Sequence, residues 1–264
     1  MRLLVSPMNL EEARSALTGG ADILDVKNPK EGSLGANFPW NIRAVAELAK
    51  GRVPVSATIG DLDYKPGTAS LAALGAAFSG ADYIKAGLLG AKTADQAREM
   101  LEGIVRAVKD FDPQKKVVAA GYSDYERAGC LSPLLLAGAA KQAGAEVVMV
   151  DTAIKDGKST FEFMSQGDLE EFVALGRGYG LEVAVAGNIG FQHLEMLLRI
   201  DPDILGVRGI VCGGDRSSSI KAELVKRLKL ALSANPQPRP DSEPREGQEK
   251  KKSADGGSPI NFRA

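Results

Sequence analysis

The order of β-rich and helical segments along this 264-residue chain predicts an α/β fold, a (β/α)8 or TIM barrel formed by one domain. Eight short β-rich runs alternate with helical patterns and start about every 20 to 35 residues, the length of one βα unit. Several helical patterns end in glycine and alanine just before the next β-rich run, as helices do in αβ loops. A doubly wound open sheet is the alternative, but no GxGxxG motif follows the first run.

The predicted strands and helices alternate along the chain from the N-terminus to residue 232. The second strand is typical, because Ile23, Leu24 and Val26 supply apolar β-forming side chains. The predicted strands span 3–6, 23–27, 53–59, 83–88, 117–122, 147–152, 183–187 and 204–209. The helical patterns between and after them span 10–21, 41–51, 70–81, 93–110, 133–145, 169–180, 191–200 and 217–232. Eight such pairs are the number that closes a barrel.

Composition excludes several classes of function. The net charge of −1 gives no electrostatic footprint for nucleic acid or for an anionic membrane. A metal site built from cysteine and histidine, or a Ser-His-Asp triad, has little support, because the chain contains only two cysteines, Cys130 and Cys212, and one histidine, His193. No stretch approaches the ~18 apolar residues of a membrane span, and the N-terminal apolar run is too short for a signal peptide. We expect a cytoplasmic protein without a membrane or nucleic-acid partner.

The C-terminal segment differs from the rest of the chain. From residue 233 onward it contains five prolines, many charges and few large apolar residues. Such a segment buries too little apolar surface to offset chain entropy. We therefore predict a catalytic domain at 1–232 and a disordered tail at 233–264.

Charged residues stand at the ends of three predicted strands, where barrel enzymes place their active sites. Because successive strand side chains alternate, Asp25 and Lys27 face the same way, and the same alternation points Lys85 and Asp151 into the barrel. Lys155 follows four residues after Asp151. A single Asp-x-Lys is equally well explained by a structural ion pair. Two interior lysines together with two carboxylates favour a catalytic role, because buried charges are costly unless they are paired or take part in a reaction.

The chemistry that suits these residues is that of class I aldolases. A lysine amine attacks a carbonyl only when unprotonated, and its ordinary pKa near 10.4 leaves little free base at neutral pH. A second ammonium group and partial desolvation lower that pKa. Neighbouring carboxylates can then move the protons that imine formation requires. Spacing alone does not decide whether Lys27 or Lys85 is the nucleophile.

Glycine-rich segments follow the seventh and eighth predicted strands, with Arg208 and Arg216 nearby. Barrels often bind phosphate there, through backbone N–H groups and the N-terminus of a following helix. The alternative is that the glycines only form tight turns. The predicted phosphate-binding residues are Gly187, Asn188, Arg208, Gly209, Gly213 and Gly214.

Seven motifs together resemble one known family. They are LLVSP, GGADILDVKNPKEGSLGANFPW, SATIGDLDYKPGT, GADYIKAGL, VVAAGYSD, VDTAIKDGK and GVRGIVCGGDR, in order from residue 3 to residue 216. This pattern is similar to that of the (5-formylfuran-3-yl)methyl phosphate synthase family of methanofuran and methylofuran biosynthesis, and the likeness runs to about residue 232. The resemblance implies a lyase that condenses two molecules of glyceraldehyde 3-phosphate into a furan aldehyde phosphate, with loss of phosphate and water.

The resemblance also implies residue roles. Lys27 would form the Schiff base with Asp25 beside it, Lys85 would be the proton acceptor, and Asp151 and Lys155 would support them. The triose phosphate would be the small-molecule partner, and neither a metal nor a redox cofactor is implied, because loss of water and phosphate makes the ring aromatic.

Other expectations concern the assembly, one local departure and the competing functions. We expect a homo-oligomer, since barrels of this type often pair through helices. Asn188 departs from the small hydroxyl residue expected at its position. The competing interpretations are a class I aldolase or transaldolase-like enzyme acting on a sugar phosphate, and a non-catalytic barrel that binds a phosphorylated metabolite.

Overall fold

The computed structural model describes residues 1–234 and shows a closed barrel of parallel strands, each paired with its neighbours in chain order and the last with the first. The strands are β1 (Arg2–Val5), β2 (Ile23–Val26), β3 (Val55–Asp61), β4 (Tyr83–Gly87), β5 (Lys116–Tyr122), β6 (Val147–Asp151), β7 (Glu182–Val185) and β8 (Ile204–Val207). The helices are α1 (Leu10–Thr18), α2 (Pro39–Ala49), α3 (Pro66–Phe78), α4 (Ala94–Phe111), α5 (Tyr125–Ala128), α6 (Pro133–Ala143), α7 (Gln166–Gly178), α8 (Leu194–Ile200) and α9 (Ala222–Ser233). The predicted (β/α)8 fold is confirmed.

All eight predicted strands form, and their ends lie within two residues of the prediction. The helices differ more. Helices α2 and α3 begin earlier than predicted, at Pro39 and Pro66, because proline is accepted in the first turn, where its missing N–H has no intrahelical partner. The last helix begins at Ala222 rather than at 217, and the four-residue α5 was not predicted. Most of the predicted tail lies outside the described residues, and the boundary at 232 stays a prediction.

Side chains of each strand alternate between two buried layers. In β4, Ile84 and Ala86 pack outward against the helices, whereas Tyr83 and Lys85 point into the barrel. In β6, Val148 packs outward in the same way. The apolar side chains that fill the barrel interior include Leu4, Ile23, Tyr83, Val118, Val147, Met149, Ala184 and Ile204. The barrel is therefore a packed core below its mouth, as the fold requires.

The end of the barrel where the strands begin is closed by a polar network. Arg2 of β1 donates to the carboxylate of Glu182 in β7 and to the Tyr83 hydroxyl, the latter at 3.1 Å. Lys116 of β5 approaches the same Glu182 carboxylate at 2.8 Å. The open cavity lies at the opposite end, where the strands finish. None of the helices within residues 1–234 combines the length and apolar character needed to cross a bilayer.

Candidate active site

Asp25 is the most enclosed charged group at the mouth, with no exposed surface. Its carboxylate accepts hydrogen bonds from the hydroxyls of Ser6 and Ser56, at 2.9 and 2.8 Å, and from the Lys85 ammonium at 2.7 Å. Burial alone would raise the pKa of Asp25, but the charges of Lys85 and Lys27 outweigh it and leave that pKa below its ordinary value. Asp25 therefore stays ionised and holds Lys85 as its charged partner.

Lys27 follows the last residue of β2 and is 6% exposed. Burial, together with the ammonium groups of Lys155 and Lys85, lowers the pKa of Lys27 to about 8, although the carboxylates of Asp151 and Asp25 oppose the shift. A pKa near 8 leaves about one molecule in ten with a free amine at pH 7, against fewer than about one in a thousand for an ordinary lysine. Lys27 is thus the side chain best prepared to act as a nucleophile.

Asp151 and Lys155 form the second ion pair of the mouth. The Lys155 ammonium lies 2.6 Å from Asp151 Oδ1 and 2.8 Å from the Thr152 hydroxyl. Burial would raise the pKa of Asp151, but the charges of Lys155 and Lys27 dominate and lower it to about 2. The sequence-predicted set of two acids and three lysines therefore meets in one place, as two ion pairs with Lys27 between charges of both signs.

A cavity of about 360 Å³ opens above these residues. Its lining includes Lys27, Lys85, Asp151 and Lys155. The predicted phosphate residues that also line it are Gly187, Asn188, Arg208, Gly209 and Gly214. Gly213 does not line the cavity. Its φ of 83° ends the short 3-10 helix Gly209–Cys212.

Asn188 connects two loops at this wall. Its backbone φ of 48° lies in the left-handed region, which asparagine tolerates better than most residues. Its side-chain amide donates to the carbonyl of Gly157, in the loop after β6. The backbone conformation and this bond account for asparagine where a small hydroxyl residue was expected.

Arg208 is engaged by the protein itself. Its guanidinium group pairs with the Glu12 carboxylate at 2.7 Å and donates to the backbone carbonyls of Ser6, Arg216 and Ser218. These bonds tie the start of α1 to the loop after β8. The N–H groups of the Arg208 guanidinium are thus directed to acceptors within the protein. This geometry disfavours the predicted contact of Arg208 with phosphate, which stays a prediction.

Other polar residues near the strand ends also have structural partners. The Tyr122 hydroxyl donates to the Asp61 carboxylate, and the Asp124 carboxylate accepts the backbone N–H groups of Ala153 and Ile154. Sequence analysis missed Ser6, Ser56 and Asp61. For Ser6 and Ser56 the signal was a polar residue at an inward-facing position of the strand pattern, whereas a register shift between Thr58 and Asp61 breaks the alternation that would have placed Asp61. Within residues 1–234, no cluster of three or more His, Cys, Asp or Glu side chains is suited to a metal ion.

One family model and several relatives with a common name match most of this chain. A family model described as 4-HFC-P synthase matches residues 3–229. The (5-formylfuran-3-yl)methyl phosphate synthase of Methanosarcina mazei is 64% identical over 228 residues, covering 86% of this chain and 97% of that protein. The synthase of the same name from Archaeoglobus fulgidus is 64% identical over 234 residues, covering 88% and 99%. That of Methanocaldococcus jannaschii is 58% identical over 231 residues, covering 87% and 98%.

Solved structures at low sequence identity share the fold. The 3-hexulose-6-phosphate synthase from Salmonella typhimurium has a TM-score of 0.62 at 17% identity, covering 89% of this chain and 99% of that one. KGPDC from Streptococcus mutans has a TM-score of 0.61 at 16% identity, covering 88% and 97%. At these identities the likeness concerns the barrel alone.

Proposed function

The chain belongs to the 4-HFC-P synthase family, and from this premise we propose that it condenses two molecules of glyceraldehyde 3-phosphate into (5-formylfuran-3-yl)methyl phosphate through a Schiff base on Lys27. The enzyme would be a carbon–oxygen lyase acting on phosphates, in methanofuran or methylofuran biosynthesis. The product is the one named for the relatives from three archaeal genera. Membership of the family makes the chain a synthase; the substrate, the covalent step and the pathway are the proposal.

The observation that carries the proposal is the buried amine of Lys27 between two ion pairs. With a pKa of about 8, Lys27 supplies free amine at neutral pH. The Lys85–Asp25 pair, at 2.7 Å, and the Lys155–Asp151 pair, at 2.6 Å, stand ready to exchange protons with groups bound to it. A barrel that only bound a metabolite would gain nothing from a lysine whose pKa is lowered toward neutrality.

The first covalent step is imine formation. The free Nζ of Lys27 adds to the carbonyl carbon of one triose phosphate, and the carbinolamine then loses its hydroxyl as water. Lys85, held as an ammonium by Asp25, donates the proton that this loss requires. Lys85 is then a neutral amine, and only in that form can it accept a proton from carbon.

The carbon–carbon bond follows from the imine. Lys85 removes the proton from the carbon next to the imine, and the electron pair moves to nitrogen to give an enamine. The enamine carbon bonds to the aldehyde carbon of the second triose phosphate, whose oxygen takes a proton from the Lys155–Asp151 pair. Hydrolysis of the imine then frees Lys27 and restores a carbonyl carbon, and ring closure on that carbon, phosphate release and dehydration complete the furan. Two triose phosphates give one product, one phosphate and two waters, with no external oxidant.

Incubation of the purified enzyme with glyceraldehyde 3-phosphate tests the activity. We expect a furan absorbance to rise together with released inorganic phosphate, in equal amounts. A non-aromatic sugar phosphate would instead identify an aldolase, and no consumption of the triose would reject the reaction altogether.

Borohydride treatment in the presence of substrate tests the covalent step. Reduction converts an imine to a stable secondary amine, so peptide mass spectrometry should locate an adduct on Lys27. The Lys27→Ala variant should carry none. The Lys50→Ala variant, at an exposed lysine after α2, is the matched control and should be labelled like the wild type.

We also propose that the protein is a cytoplasmic homo-oligomer. The oligomer is supported by an exposed apolar stripe on α3, formed by Leu71, Leu74 and Phe78, where Leu71 is 74% exposed. Phe111 at the end of α4 extends it, with its ring 6.0 Å from that of Phe78. Light scattering should give a mass above that of one chain, and Leu71→Glu should reduce it.

A further inference from the structure

Arg216 lies in the loop between β8 and α9 and lines the cavity. Its Nη2 atom is buried, and among residues 1–234 it has no hydrogen-bond partner. A buried donor left without an acceptor has lost its hydrogen bonds to water without replacement, and the cost is larger when the group is charged. A ligand with an acceptor oxygen at this place would satisfy the donor.

The loop around Arg216 is held in place. The Arg216 carbonyl accepts a hydrogen bond from Arg208 Nε at 2.7 Å, and the Ser218 carbonyl accepts one from Arg208 Nη2 at 3.2 Å. The Asp215 carboxylate accepts the backbone N–H of Ser217 at 2.9 Å. Arg208 and Asp215 thus fix the backbone on both sides of Arg216. Its side chain is presented by a braced loop at the cavity wall.

The carboxylates that interact with Arg216 already have closer partners. The Asp151 and Asp61 charges favour its protonated form, against burial, which lowers its pKa. Asp151, however, pairs with Lys155 at 2.6 Å, and Asp61 accepts the Leu34 N–H at 3.0 Å. Neither carboxylate makes a hydrogen bond to the Arg216 Nη2 atom.

The charges of the cavity wall indicate the kind of ligand. Among the described residues, six lysine and arginine side chains line the cavity, against the carboxylates of Asp151 and Asp215. Lys85 pairs with Asp25 and Arg208 with Glu12, so those charges are compensated. A guanidinium with a buried, unpaired Nη2 atom, in a cavity lined by more cations than anions, selects an anion with several acceptor oxygens, for which a phosphoryl group is the best match.

We propose that Arg216 binds the phosphoryl group of the triose phosphate held on Lys27, with its buried Nη2–H donating to a phosphoryl oxygen. Gly209 and Gly214 line the cavity beside it, and a Cβ atom at Gly214 would meet no atom within 4 Å, which leaves room for the anion. The identity of the anion rests on the proposed function. The phosphate-binding arginine is thus Arg216, and Arg208 positions it.

Inorganic phosphate is the probe that tests this site without turnover. Calorimetry should show that Arg216→Gln weakens phosphate binding about 10- to 30-fold, the loss expected for charge-assisted hydrogen bonds. Arg216→Lys keeps the charge but loses the planar donor pair, and should recover only part of the affinity. Arg199→Gln removes an exposed arginine from α8 and should bind phosphate like the wild type. With triose phosphate, Arg216→Gln should raise KM by a similar factor.

Two results would overturn the inference. One is wild-type phosphate affinity in Arg216→Gln with a lower Tm, which would make Arg216 a structural counter-charge for Asp151 and Asp61. The other is wild-type affinity in Arg216→Lys, which serves as the test should the glutamine variant fail to fold.

The adduct on Lys27 and the phosphate affinity of the Arg216 variants, measured separately, distinguish this inference from the proposed function. If no adduct forms on Lys27 in the wild type while phosphate affinity still depends on Arg216, the Schiff-base proposal fails and the anion site stands. If the adduct forms but affinity is independent of Arg216, the anion site fails and the Schiff base stands.

Discussion

Replacing Lys155 with methionine tests whether the charges around Lys27 set its reactivity. The substitution removes an ammonium group from the cavity wall and frees the Asp151 carboxylate, which Lys155 contacts at 2.6 Å. Lys155 lowers the pKa of Lys27, and Asp151 raises it. Both consequences of Lys155→Met therefore raise the pKa of Lys27 above about 8.

The size of this shift follows from the interaction of charges that share a partly hydrated pocket. At an effective dielectric of about 20, each such interaction is worth about 1–2 kcal/mol, and about 1.4 kcal/mol corresponds to one pKa unit. A shift of about one unit reduces the free amine at pH 7 from about 9% to about 1%. The smaller fraction of free amine should therefore lower kcat/KM at pH 7 about tenfold, and the loss of Lys155 as a proton donor adds a decrease that does not move the pH limb.

The assay is the initial rate of phosphate release from glyceraldehyde 3-phosphate between pH 6 and pH 10, corrected for the reaction without enzyme. The wild type should show an acidic limb of kcat/KM near pH 8, rising as Lys27 loses its proton. In Lys155→Met the limb should move to higher pH, so the defect shrinks as pH rises. Lys50→Met should leave it in place. An unmoved limb, or one displaced to lower pH, would refute the electrostatic account of Lys27.

Three further substitutions have defined outcomes. Asp25→Asn should abolish turnover and lower the free energy of unfolding in urea by about 3 kcal/mol or more, because it leaves the buried Lys85 ammonium without its charged partner; wild-type stability would contradict this. Arg208→Met leaves the buried Glu12 carboxylate without its partner and should lower Tm by roughly 10 °C in calorimetry, whereas an unchanged Tm would refute the anchoring role. Gly187→Ala should lower the free energy of unfolding in urea by about 1–3 kcal/mol and raise KM, because φ is 102° and the new Cβ would clash with Thr160 Oγ1; normal stability would show that the loop adapts.

The sequence predicts the barrel well because its signals are local. Each strand is a short apolar run, and alternation along β2 and β4 suffices to place Asp25, Lys27 and Lys85 on the inner face. Once the parallel strands close into a barrel, these inner faces necessarily meet, so no signal from distant residues is needed to predict it. The helix starts at Pro39 and Pro66 were missed because the apolar pattern begins after the proline that opens each helix.

Features that depend on distant residues could not be predicted. Glu12 and Arg208 are 196 positions apart, and nothing near Arg208 in the sequence indicates that a carboxylate from α1 will occupy its guanidinium group. The sequence places both arginines in one glycine-rich loop, and nothing in that loop distinguishes the Arg208 that was predicted to bind phosphate from Arg216. Ser6 and Ser56 are similar cases, because a serine becomes a carboxylate partner only once β1 and β3 flank β2.

The Asp25 carboxylate couples thermal stability to turnover. It links its own strand to Ser6, which follows β1, and to side chains of β3 and β4. Replacing a buried ion pair by well-packed apolar residues is often neutral or stabilising in proteins. A directed-evolution screen for heat resistance alone would therefore tend to discard Asp25 and Lys85 together, whereas a screen for product would retain both. Mutant libraries made to raise the thermal stability of this enzyme should keep these two residues unchanged and vary residues of the surrounding helices.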